Sequence, residues 1–147
     1  MVVQMIEMSF PELSPVNIIL KQKNGDYFMA TQRKGLGRHV IYIDKDCLTL
    51  NDRQLRGLLA HELVHILIAV ANGPLQDYFY NLKWKFSSRF QIQEERRADR
   101  LVIQRGYGKE LLEFLQYHNK YYKAYNETDG LTTREIKQML KENTYKS

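Results

Sequence analysis

Cysteine is almost absent: Cys47 is the only one in 147 residues. An internal disulfide framework is therefore excluded, and a reducing compartment is the simplest reading. The opening stretch "MVVQMIEMSFPELSP" lacks a basic segment followed by a long apolar run, so no secretory signal is expected. Nor does any unbroken apolar run reach the roughly 18–20 residues that a membrane span needs, because His61, Glu62 and His65 interrupt the longest tract. No membrane span and a cytoplasmic location are the resulting expectations. Repeats and low-complexity segments are also missing.

What the chain does contain is globular in character. Hydrophobic residues are 44% and charged residues 27%, and the length suits a single domain over 1–147. Net charge is +5, with a pI near 9.3. The basic residues are scattered, with a modest cluster in "KWKFSSRFQIQEERR" (83–97). No recognition motif accompanies them, so they read as a solvated helix face and no nucleic-acid partner is expected.

The first fifty residues look β-rich. "VNIIL" (16–20) is a strand candidate, "NGD" (24–26) a hairpin-type turn signal, and "YFMATQR" (27–33) the returning strand. "GLG" (35–37) marks a loop or bulge before a third strand, "HVIYID" (39–44). The period then changes. Asn51 is a good N-cap with Gln54 three residues on, and a helix over 52–71 ends at Gly73-Pro74. Further helices are expected over 75–86, 89–105, 109–125 and 133–142, the last opened by a Thr132/Glu135 capping box and a Leu131/Ile136 staple. The expected fold class is α+β: a small N-terminal antiparallel sheet of about three strands within 1–50, and a helical part over 51–147.

The helix "GLLAHELVHILIAVANG" (57–73) is apolar on nearly every face, yet it carries His61, Glu62 and His65. Residues four apart on a helix lie one turn above each other, so the two imidazoles can reach one metal ion. Glu62 lies beside that axis. This is the His-Glu-x-x-His arrangement of zinc peptidases, in which the glutamate takes a proton from a water. A shuffled chain of this composition would show the pattern in roughly half a per cent of cases. Two structural core histidines are the alternative, but burying them and a carboxylate without partners costs several kcal/mol, on the order of a whole domain's margin.

A third protein ligand is needed, with one position left for water. The remaining histidines, His39 and His118, could each supply it. The better candidate is in "EERRAD" (94–99), where Glu95 and Asp99 share one helix face. Glu95 could ligate, and Asp99 could accept a hydrogen bond from the far nitrogen of a ligand histidine.

"HELVH" (61–65) followed by "ERRAD" (95–99) resembles the gluzincin metallopeptidases, whose signature is His-Glu-x-x-His followed by Glu-x-x-x-Asp. In size and layout the chain is similar to the minigluzincins. These are small soluble relatives of the membrane-embedded zinc peptidases that process prenylated proteins or degrade damaged membrane proteins. The resemblance covers residues 35–115. It implies one Zn2+ per chain held by His61, His65 and Glu95, with Glu62 as general base and Asp99 behind the ligands. It also implies a polypeptide substrate, added in extended form to an upper-rim strand within 35–44. Small members of the group can be latent through a C-terminal segment, here "ENTYKS" (142–147), or through self-association. The leading expectation is a zinc metalloendopeptidase. The alternative is a zinc-site domain that senses stress and cleaves or binds one specific partner protein. A ribonuclease with three histidines in one motif is disfavoured, because no histidine follows His65 until His118.

Overall fold

The computed structural model describes residues 1–25, 27–35, 37–121 and 130–144. It opens with a helix, α1 (Val2–Ser9), that the β-rich expectation for this region did not contain. Met5 is buried, and Val2 and Ile6 pack beside it on the core. That is i, i+3, i+4 spacing, the signature of one apolar helix face. A short 3-10 turn at Pro11–Leu13 then buries Leu13.

The sheet is mixed rather than antiparallel. Its strands are β1 (Asn17–Gln22), β2 (Met29–Lys34) and β3 (Arg38–Ile43), in the order β1-β3-β2. β1 runs parallel to β3 with Ile19 opposite Val40, and β2 runs antiparallel to β3 with Thr31 opposite Ile41. The turn signal at 24–26 therefore does not close a hairpin between β1 and β2; Asp26 itself lies outside the described residues. The hairpin is the next one, where Gly35 and Gly37 supply the positive φ values of 63° and 71° that turn β2 into β3. β3 takes the centre because His39, Val40 and Ile41 are buried in succession. A strand covered on both faces needs a continuous apolar run, whereas β1 is exposed over most of its length and suits an edge.

α2 (Asp52–Phe86) starts at the expected cap: Asn51 Oδ1 accepts from the Gln54 amide and Gln54 Oε1 from the Asn51 amide, both at 2.9 Å. The helix breaks at Gly73, whose φ of 70° and ψ of 173° are not helical. Pro74 opens a second segment, 74–86, where a first-turn proline loses no hydrogen bond. By length and composition alone, Asp52–Gly73 is long and apolar enough to cross a membrane; half of that window is buried inside the fold. Leu58, Leu59, Leu63, Val64 and Ile66 form the centre of the core.

Three more helices follow among the described residues: α3 (Ser88–Gln104), α4 (Gly108–Tyr121) and α5 (Thr133–Thr144). The expected extension of α4 over 122–125 lies outside the described residues. A Cβ at Gly57 would overlap the backbone of Glu110 and Leu111, so α2 and α4 touch there at backbone distance. Thr132 and Glu135 form the expected capping box, and Leu131 and Ile136 are buried beneath it.

Candidate metal centre

His61 and His65 project from one face of α2 with their Nε2 atoms 3.0 Å apart. α3 crosses opposite and brings Glu95 to the same point. Glu95 Oε2 lies 2.9 Å from His61 Nε2, and Oε1 3.5 Å from His65 Nε2. One ligand atom from each residue lies within 4.8 Å of the others, so the group could hold a metal ion. Metal–ligand bonds of about 2.1 Å at tetrahedral angles imply ligand–ligand edges of about 3.4 Å. The observed separations sit near that figure.

The tautomer of His61 sharpens the case. Its Nδ1 lies 2.9 Å from Asp99 Oδ1, and a carboxylate can only accept, so Nδ1 carries the proton. In the neutral ring Nε2 is then bare, and it faces a carboxylate oxygen. Two acceptors at that distance repel unless a cation lies between them. Burial opposes charge on His61, but hydrogen bonds to Asp99 and Glu95, and their negative charges, outweigh it and hold the imidazole pKa well above its ordinary value. Burial would likewise raise Glu95, but the two histidines hold its carboxyl far below the usual range. The pocket is built to favour positive charge, whether a proton or a metal ion.

Asp99 is itself fixed. Its Oδ2 accepts from the buried Leu131 amide at 2.7 Å, so the entry to α5 holds the residue that orients His61. Gly130 allows this approach, because a Cβ there would overlap Oδ2. Arg96 donates to the Gly130 carbonyl at 3.0 Å and pairs with Glu135, tying α3 to the same junction.

Glu62 is buried and points toward β2, where Thr31 Oγ1 donates to its Oε2 at 2.5 Å. Glu94, the neighbour that could have replaced Glu95, pairs instead with Arg97 at 3.2 Å. His39 and His118 stand apart from the metal-ligand cluster. His118 packs its ring against Phe28 and Phe114. His39 is buried near Arg33 and Asp77; burial and the Arg33 charge lower its pKa. Cys47 takes no part: burial pushes its thiol up to about 11, and it donates to the Phe28 carbonyl.

His61, Glu62, His65, Glu95 and Asp99 line a cleft of about 570 Å³. β2 forms one wall, not the 35–44 strand expected as the rim; β3 is paired on both sides and has no edge to offer. The 74–86 segment forms the opposite wall. Its Trp84 ring meets His65 edge-on at 6.0 Å, and Asp77 bonds Arg33 of β2 at 2.9 Å. An apolar end is built from Phe28, Leu58, Leu111 and Phe114. Thr31, Trp84, Arg33, Asp77 and Gly130 were not anticipated. They lie far from the motifs in sequence, and no local pattern marks them. The last three residues of "ENTYKS" lie outside the described residues. A scan against protein-family models, a search of curated proteins and a search of solved structures each returned no match.

Proposed function

We propose that the chain is a zinc-dependent metalloendopeptidase of the gluzincin type. The observation that carries this reading is the convergence of His61, His65 and Glu95 on one point, with Asp99 behind His61. Two imidazoles and one carboxylate form a donor set that suits zinc, and one protein position short of a tetrahedron is what a catalytic zinc requires. When bound, zinc supplies Lewis acidity, acidifying water and polarising a substrate carbonyl.

The chain's own residues do the rest. Glu62 takes the proton from the attacking water and passes it to the leaving amine. Thr31 holds Oε2 of that carboxylate, which leaves Oε1 for the proton. Asp99 keeps His61 in the tautomer whose Nε2 is free to ligate. An extended polypeptide lying along β2 would meet Glu62 beside the strand, since β2 is an edge of the sheet.

Peptide hydrolysis by the zinc-loaded protein, compared with Glu62→Gln, tests the reading. Cleavage should be lost in the variant while one zinc per chain is retained. Undiminished cleavage by Glu62→Gln would remove the general-base role.

A further inference from the structure

The 74–86 segment has two faces, and the cleft uses only one. Asp77, Tyr80 and Trp84 line the cleft, at i, i+3 and i+7. On the other side stand Tyr78, Phe79, Leu82 and Phe86, exposed by 64%, 54%, 44% and 76%. At 100° per residue these four fall within one arc opposite the cleft-lining three. Single exposed apolar residues are ordinary, but four large ones on one stripe are not.

Charge identifies what would cover the stripe. Lys83 and Lys85 flank it on either side, and Arg89 follows at the start of α3, all three exposed. No aspartate or glutamate occurs between positions 78 and 93. The Lys85 ammonium lies over the Phe86 ring, 6.0 Å from its centroid, so the cations and the apolar stripe are contiguous. A second copy of this chain related by a two-fold axis would set these cations against their own counterparts. An anionic bilayer surface would complement both features: the apolar stripe enters the headgroup boundary and the cations meet phosphates.

We propose that the outward face of the 74–86 helix, with Tyr78, Phe79, Leu82 and Phe86 flanked by Lys83, Lys85 and Arg89, docks onto an anionic lipid surface. The helix lies in the plane of the interface and keeps its opposite face on the cleft. The proposal uses none of the metal-binding residues and stands whether or not the peptidase reading does.

The test is co-sedimentation of the full chain with vesicles of phosphatidylcholine alone or with a quarter phosphatidylglycerol, at low and high salt. The wild type should bind the anionic vesicles at least about tenfold more tightly than the neutral ones, and high salt should erase most of the difference. Leu82→Ser/Phe86→Ser and Lys83→Glu/Lys85→Glu should each weaken binding at least about tenfold. These positions face solvent, so circular dichroism should show an unchanged fold. Absence of binding, equal binding to both vesicle types, or wild-type binding by both double variants would overturn the proposal. So would a concentration-dependent dimer, seen by light scattering and removed by Leu82→Ser/Phe86→Ser, in a chain that leaves vesicles unbound.

Discussion

Asp99→Asn is nearly isosteric, yet it should be costly, because Asp99 accepts two different hydrogen bonds. Oδ1 serves His61 Nδ1 at 2.9 Å and Oδ2 serves the Leu131 amide at 2.7 Å. Asparagine has one acceptor oxygen and a donor amide. If the oxygen faces Leu131, the amide meets His61 Nδ1–H, and the ring loses the partner that fixes its tautomer. If the oxygen faces His61, the buried Leu131 amide is left against another donor. Either way one charge-assisted buried bond is lost, which costs about 1.5–3 kcal/mol. Partners of this kind behind a ligand histidine contribute roughly 10–100-fold to metal affinity. Urea unfolding should therefore show a loss of about 2 kcal/mol with chelator present, where zinc cannot contribute to stability. Zinc titration against a competing chelator should show affinity reduced about 10–100-fold. If stability and zinc affinity both match the wild type, Asp99 does not join the α5 junction to the metal centre.

Other perturbations probe separate parts of the structure. Gly57→Ala should be destabilising even though alanine is the better helix former by about 1 kcal/mol. The added Cβ overlaps the Glu110–Leu111 backbone, and overpacking of that kind costs about 1–3 kcal/mol, so thermal unfolding should occur at lower temperature. Thr31→Val should leave zinc content unchanged and reduce kcat/KM for a peptide about tenfold or more, since Glu62 loses its only hydrogen bond among the described residues. Unaltered kinetics would show that Thr31 does not position Glu62. Glu135 is held at about 2 by its Arg96 bond and the Thr132 cap. Its folded pKa lies below the unfolded value, so its contribution is present above about pH 4.5 and is lost as pH falls toward 2. Glu135→Gln should lower stability at neutral pH by about 1 kcal/mol or less, given its exposure, and flatten that acid limb of the unfolding curve.

The motifs were legible because they are local. His61, Glu62 and His65 are fixed by helical spacing, and the caps at Asn51 and Thr132 by short-range hydrogen bonding. The break at Gly73 followed from the Gly-Pro pair, and the aromatic stretch after it continues as helix, as its composition suggested. Sheet order was less accessible. Whether β3 inserts between β1 and β2 depends on burial of three successive residues on both faces of the sheet, which a turn signal at 24–26 cannot report. α1 was hidden because its apolar residues are β-branched or flexible and its stripe is short. The choice of Glu95 over Glu94 required the facing of α3 against α2: one residue's rotation separates the ligand cluster from the Arg97 pair. The role of Gly130 could emerge only once α5 was seen to return to Asp99.

Metal content tests the central claim most directly. Protein purified without chelator and measured by inductively coupled plasma mass spectrometry should carry one zinc per chain. Glu94→Ala should retain it, and Glu95→Ala should lose nearly all of it. Equal zinc in Glu95→Ala and the wild type would contradict a site built from His61, His65 and Glu95.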